Sequence, residues 1–503
     1  MFNVPNNFFI YLILMYSLFF LMSPPICKAQ LSEEDTIYKI ALGSYRDGFI
    51  DMAIEQFQEF ITRYPESSKT SYARFRLGDC FIEKKEYQRA GEYYSKNIQL
   101  NINHNLYKPS LYRLAESLLF QKKFSSSAQY FEQFIEKYPD DELSGDALFY
   151  LAESLYQIQD YHKALGSYER LLQKYKNHPK GADSLYSAGW CLIKLQKYKD
   201  AIEKLMGLIK RYPDSPLIPD AQKKIADSYY TLQDYREAEK YYSTYLDTNP
   251  KDEDSMGQAI LNKGISLSFL NRHKEAINVY DSFLKKYNKH ALAPLIFFQR
   301  ALYLYTTERL DEAKEAFHTI GTEYKKNNLL NEKKIAASLY YSGLIKEKLK
   351  DYEGANAAFK RLIAEYPSLK EKFIYDTFLK LGSLAYNDNH LDTAVEFYKR
   401  ALQSDEDKSI AAEAAYSLAD CYFALKQPEE GIALLQKFEL LYPDEKSWGQ
   451  MASFRLGNIY EEEEKWESAL KEYQKAAQGK VYKGLVALAE KGIKRMEEKI
   501  NHD

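Results

Sequence analysis

A small residue, a second small residue twelve positions later and a large apolar residue four positions further recur twelve times along this chain. The second small slot is Ala53, Ala90, Ser127, Ala164, Ala201, Ala238, Ala276, Ala313, Ala355, Ala394, Gly431 and Ala469, spaced 37 or 38 residues apart except for 42 and 39 around Ala355. Twelve positions upstream of each stands Gly or Ala, from Ala41 and Gly78 to Ala419 and Gly457. Four positions downstream stands an aromatic residue or Leu, from Phe57 and Tyr94 to Leu435 and Tyr473. Small slots let two antiparallel helices approach, and the bulky slot fills the space towards the next pair. Apolar residues at i, i+3, i+4 and i+7 accompany every copy, and strand-like alternation is absent. The spacing therefore predicts an all-α chain built of helical hairpins, with insertions only between them.

The hairpins are expected at roughly 34–66, 71–105, 108–141, 145–178, 182–214, 219–251, 257–290, 294–327, 335–368, 374–406, 412–444 and 450–479, within an array spanning 30–480. Many close on proline (Pro65, Pro139, Pro213, Pro250, Pro367, Pro443), which ends a helix because it lacks the N–H and clashes with the preceding turn. Hairpin two lacks that stop. Between hairpins eight and nine, Tyr324 to Lys334 is a polar insertion expected to lengthen a helix or bulge the connection. Residues 481–503 are read as a capping helix and tail, since the last unit of a stack needs a polar outer face.

This order of slots, with Pro at the hairpin's end, resembles the tetratricopeptide repeat family over residues 34 to 480. The resemblance implies a right-handed α-solenoid of about twelve hairpins that binds proteins without catalysis. The period exceeds the usual 34 residues of this repeat, the extra residues lying in YPDS-type connections. It is similar to repeats of bacterial envelope scaffolds, such as the Tol-Pal-associated cell-division coordinator and the outer-membrane assembly lipoprotein.

A chain of 503 residues normally splits into several domains, but a solenoid escapes that limit because each unit contacts only its neighbours. With 69 basic and 72 acidic residues the formal charge is -3, which gives no electrostatic case for nucleic acid. The 45 Tyr and 27 Phe are first of all what the packing slots consume. At the start, Phe8 to Met22 is apolar but for Ser17 and is followed by SPPICKAQ, so residues 1–29 are read as a secretory signal cleaved before Gln30. Left uncleaved, the run is a membrane anchor to a cytoplasmic adaptor; lipidation at Cys27 is disfavoured by Ile26 before it. Export leaves Cys80, Cys191 and Cys421, too many repeats apart to pair and expected as buried free thiols.

No catalytic motif is present. The eight His are never closer than sixteen positions, which excludes HExxH pairs, and GxSxG, GxxxxGK[ST] and GxGxxG are missing. Neither a catalytic residue, a metal site, a cofactor nor a small-molecule substrate is expected. The chain is read as a non-enzymatic, periplasmic or outer-membrane-associated scaffold for protein partners, with regulation of peptidoglycan-processing enzymes as an alternative.

The resemblance places partner binding on the groove lined by the first helix of each hairpin. The residue after the first small slot is expected there, and Asp79, Glu116, Glu153, Trp190 and Asp227 hold it in hairpins two to six. Phe75, Tyr112, Phe149 and Tyr186 lie one turn before, Tyr156 and Tyr230 one turn after. Acids beside aromatics suit a basic or amide-rich peptide. Alternatively the acids keep the face soluble and pair with Arg74, Arg76 and Arg113. Ile265, Leu302 and Leu344 make the later hairpins more apolar at the same place, suited to another partner or to the array's own ends.

Overall fold

The computed structural model describes residues 32–100, 105–326, 329–404, 407–479 and 481–501, so the expected signal lies outside the described residues. Every regular element among them is helical. The chain divides after Asp234 into two compact units. In the first, residues 32–234, helices run Glu33–Arg46, Ile50–Arg63, Thr70–Glu83, Tyr87–Leu100, Tyr107–Phe120, Phe124–Lys137, Ser144–Gln157, Tyr161–Lys174, Gly181–Lys194, Tyr198–Arg211 and Ile218–Thr231. These are hairpins one to five and the first helix of the sixth.

The second unit opens with Tyr235–Asp247, the second helix of hairpin six. It continues with Glu253–Phe269 and His273–Lys286, Ala293–Thr306 and Leu310–Thr319, Glu332–Lys348 and Tyr352–Glu365, then Lys372–Asn387 and Leu391–Ala401. Lys408–Ala424 pairs with Pro428–Gln436 and its short continuation Phe438–Leu441; Lys446–Glu462 pairs with Trp466–Gln478; Lys483–Ile500 comes last.

The slots behave as their sizes dictate. In the first unit Ala41, Ala53, Phe57, Ala90, Tyr94, Ala115, Phe131, Ala164, Tyr168, Ala201 and Leu205 are all 0 % exposed. The closest approaches need glycine: a Cβ on Gly264 would sit 2.2 Å from the Tyr280 ring, and one on Gly78 2.6 Å from Tyr94. Seven positions after the second small slot comes another large apolar residue, such as Phe60, Phe134 or Leu171, all fully buried. Hairpins ten and twelve have the small Ala401 and Ala476 there, and hairpin two has Asn97, 1 % exposed, whose Nδ2 donates to the Ser71 carbonyl at 2.9 Å.

Each turn inside a hairpin uses a left-handed residue, Gly48, Lys85, Lys122, Gln159, Gln196 and Gln233 in the first unit and Asn271, Glu308, Lys350, Asn389, Lys426 and Glu464 in the second. The following N–H then reaches back to close the helix, as Glu86 does to Phe81 O at 2.8 Å and Lys123 to Leu118 O at 2.9 Å. Between hairpins a side-chain acceptor fixes the turn. Ser67, Asp141, His178, Ser215 and His290 accept the N–H two residues on, at 3.0 to 3.3 Å. Two of the eight histidines are thus turn residues.

The insertion after hairpin eight lengthens the helix that follows it, Glu332–Lys348, to 17 residues against the usual 14, and changes the helix before it. Leu310–Thr319 passes into a π-helical turn, Ile320–Tyr324, before the next helix begins at Glu332. One widened turn absorbs extra length while keeping Ile320 fully buried. Cys80, Cys191 and Cys421 are buried free thiols, as spacing required, each pushed up to about 12 by burial. The final helix buries only Ala489, Gly492 and Met496, Gly492 lying against the Tyr473 ring.

Candidate functional site

The acids expected on the groove are held by the stack beneath them. Asp79 is 7 % exposed. Its Oδ1 accepts the Tyr94 hydroxyl at 2.8 Å, with Arg113 Nε 4.0 Å away, and its Oδ2 accepts Arg76 Nη1 at 2.9 Å. Burial raises its pKa, against the pull of Tyr94, Arg113 and Arg76. Glu116 accepts Arg113 Nη1 at 2.6 Å. Glu153 accepts the Tyr168 hydroxyl, and Ser187 Oγ lies 3.3 Å from the same oxygen. Arg76 and Arg113 are therefore partners of these acids; Arg74 is instead half-buried, and burial lowers its pKa.

The aromatics separate into two sets. Tyr112 and Phe149, 7 % and 8 % exposed, belong to the core rather than to the groove, Tyr112 edge-on to Phe131 and Phe134 and Phe149 edge-on to Tyr168. Phe75, Tyr112, Phe149 and Tyr186 share one register position, a turn before the slot residue, and Tyr112 and Phe149 are the two that are buried there. Phe75 leans on Tyr94 at 5.5 Å and is half-buried. Tyr156, Tyr186, Trp190 and Tyr230 are likewise half-buried, Tyr156 edge-on to Tyr161 at 5.3 Å.

Tyr156 and Tyr230 prove to be two rungs of a longer ladder. Tyr45, Ile82, Leu119, Tyr156, Ile193 and Tyr230 occupy one register position in hairpins one to six, and all are half-buried. Arg76 lies over the Tyr45 ring at 5.7 Å, joining one rung to the next hairpin. Four of these six escaped the sequence reading, though the fixed step of 37 residues marks them all. In the second unit the position holds Ser268, Tyr305, Glu347, Tyr386, Phe423 and Glu461, so no continuous ladder forms there.

Around Trp190 the character changes. Lys224 Nζ lies 4.0 Å above the indole and Lys194 Nζ 5.8 Å from it. Asp227 accepts Lys223 Nζ at 3.0 Å and stands 4.0 Å from Lys224 Nζ. Among the described residues no three His, Cys, Asp or Glu converge as a metal site, and no helix is long and apolar enough to cross a membrane.

Stacked hairpins with these slots define a tetratricopeptide repeat protein, and the comparisons agree. Tetratricopeptide repeat models match residues 38–100 and 110–141, and a tetratricopeptide repeat-like domain model matches 319–489. The model described as outer membrane lipoprotein matches 180–370, and that of anaphase-promoting complex, cyclosome, subunit 3 matches 132–207. Among curated proteins no match is found. Similar solved structures include the C-terminal part of a tetratricopeptide repeat-containing protein from Cytophaga hutchinsonii, 17 % identical over 53 % of this chain and 98 % of that one, TM-score 0.41. A tetratricopeptide repeat protein from Parabacteroides merdae is 16 % identical over 55 % and 99 %, TM-score 0.35. Proteins of this class act as scaffolds for protein–protein interaction.

Proposed function

We propose that this chain is a non-catalytic scaffold of the bacterial envelope that holds segments of protein partners along its first-helix face, in the assembly of outer-membrane complexes. The observation that carries the reading is the ladder from Tyr45 to Tyr230, six half-buried apolar side chains at one register position. Rigid aromatic and branched aliphatic groups supply contact area at small entropic cost, and a partner laid across them buries several at once. With Asp79, Glu116 and Glu153 engaged by hydroxyls and guanidinium groups, they serve to orient the face more than to bind a basic ligand. The envelope location rests on the outer membrane lipoprotein match over 180–370 and on residues 1–29 as a cleaved signal, ahead of an array over 30–480 and a cap over 481–503.

Photocrosslinking in cells tests this reading. A crosslinker at Tyr156 or Ile193 should capture the same partner, whereas one at Glu132 or Lys199, exposed on second helices, should not. Capture only from the second helices would overturn the proposal. Fractionation adds the location: a mature chain beginning at Gln30 in the envelope fraction is expected, and a full-length chain in the cytosol would contradict it.

A further inference from the structure

Where each first helix of the first unit turns into its second, apolar and basic side chains gather along one edge. Of the eight exposed large apolar residues described in that unit, Phe49, Met52, Phe120, Ile158 and Leu232 stand at these turns or in the helical turn beside them. Phe49 is 60 % exposed and Phe120 48 %. Contacts between hairpins line the turns up. Lys84 Nζ of turn two reaches Asp51 Oδ1 of turn one at 2.5 Å. Phe120 of turn three stacks on Tyr87 of turn two at 4.9 Å, and Gln121 Nε2 donates to the Tyr87 carbonyl at 3.0 Å. Lys85, Lys122, Lys123 and Lys197 stand among the apolar groups, all exposed and none in an ion pair among the described residues. Three acids of the edge are engaged by the chain itself: Asp51 by Lys84, Glu86 by Arg89 at 2.7 Å, and Asp160 by the Lys163 N–H at 3.2 Å. Turn three, residues 120–126, holds two lysines and no acid, and turn five, 194–200, holds three lysines and Asp200. The corresponding turns of hairpins eleven and twelve are acidic instead, with Glu429, Glu430 and the run Glu462 to Glu464.

We infer that this turn edge of the first unit lies on a bilayer surface bearing anionic phospholipid, the apolar tips entering the interface and the lysines meeting headgroup phosphates. The combination selects the occupant. Lysines alone fit any polyanion, but apolar tips carried on separate turns need a partner that is apolar beneath a charged surface and has no register of its own to match. A membrane is both. The edge shares no residue with the ladder from Tyr45 to Tyr230, so lipid and a protein partner can be held together. The inference goes beyond the partner-binding face and draws on the envelope location only for access to a membrane.

Flotation with vesicles tests it, using the mature chain from Gln30 so that the apolar run Phe8 to Met22 cannot itself partition. Vesicles of phosphatidylcholine mixed with phosphatidylglycerol should carry the chain, and phosphatidylcholine alone should not. Binding should fade as salt is raised, because exposed charges are screened. A lysine at an anionic surface is worth about fivefold in partitioning, so Lys122→Gln/Lys123→Gln should weaken binding about 25-fold, and Lys122→Arg/Lys123→Arg should keep it. Phe49→Ser should weaken it about three- to tenfold. Lys176→Gln/Lys210→Gln removes two exposed lysines from the opposite edge of the same unit and should leave binding unchanged. No flotation with phosphatidylglycerol, equal flotation with neutral vesicles, or equal weakening by the opposite-edge variant would overturn the inference. Cell fractionation judges the location separately: a cytosolic chain that still floats removes the envelope reading and keeps the surface, whereas an envelope chain that fails to float removes the surface alone.

Discussion

Hairpins two to four and hairpins seven to nine share the two small slots and the bulky one and differ in what stands after the first small one. In the former the residue is acidic and each acid has an internal donor: Tyr94 for Asp79, Arg113 for Glu116, Tyr168 for Glu153. In the latter it is Ile265, Leu302 or Leu344. There Phe317 and Phe359 have no hydroxyl to offer, and Tyr280 donates to the Leu261 carbonyl at 3.0 Å instead. In hairpins two to four each carboxylate on this face stands where the ring beneath it or an arginine beside it donates. The electrostatics of the face are thus set from the core outwards.

The largest effect should ignore that difference. Phe131→Ala in hairpin three and Phe359→Ala in hairpin nine each empty a fully buried slot and should each cost about 3–5 kcal/mol. Native-state hydrogen exchange of each hairpin is the suitable measure, because a repeat array opens locally. A loss confined to one of the two would break the equivalence of the slots. Next in size, Tyr94→Phe should cost about 1–3 kcal/mol by leaving a buried carboxylate short of a donor. Tyr280→Phe, which removes one bond to a helical carbonyl, should cost about 0.5–1.5 kcal/mol. The reverse order would contradict the comparison.

Acidification sharpens it further. Burial raises the Asp79 carboxyl, so its contribution to stability is complete below about pH 3.9 and is lost as pH rises through its folded value. The Lys372 hydrogen bond lowers Asp407, so its contribution is complete above about pH 3.9 and is lost as pH falls. On acidification the stability of wild type relative to Asp79→Asn should therefore rise, and that relative to Asp407→Asn should fall. Hydrogen exchange at several pH values reads both, and shifts of the same sign would contradict the assignment. Smallest of all, Lys85→Gly and Lys350→Gly relieve left-handed residues, φ 59° and 63°, and should each stabilise by roughly 0.5–1 kcal/mol in both units alike.

The repeat was legible because it is steric. Gly78 before Tyr94 and Gly264 before Tyr280 leave no room for a Cβ, and such exclusions appear directly as residue size. The hydroxyl partnerships were harder to see, although they too leave a trace. Of the six copies that lie within one unit and have a polar residue after the first small slot, four have Tyr fifteen positions on: Asp79 and Tyr94, Glu153 and Tyr168, Ser383 and Tyr398, Asn458 and Tyr473. The two exceptions, Glu116 and Asp420, have Arg113 and Arg455 as donors. Reading Tyr and Phe as interchangeable hid that rule and made Asp79 look like a ligand for a partner. Tyr112 and Phe149 share a register position with the half-buried Phe75 and Tyr186, so what distinguishes them is the packing above each ring, which leaves no mark in the sequence. The lysines about Trp190 gave no signal at all, since Lys194 and Lys224 meet from neighbouring hairpins thirty residues apart.

A double-mutant cycle on Asp79 and Tyr94, followed by hydrogen exchange of residues 70–100, tests most directly whether the acids of this face belong to the core. Coupling of about 1–3 kcal/mol is predicted, with Asp79→Leu/Tyr94→Phe far less destabilised than the two single changes added together. Strict additivity would mean that Asp79 is free to meet a partner, and would contradict the account.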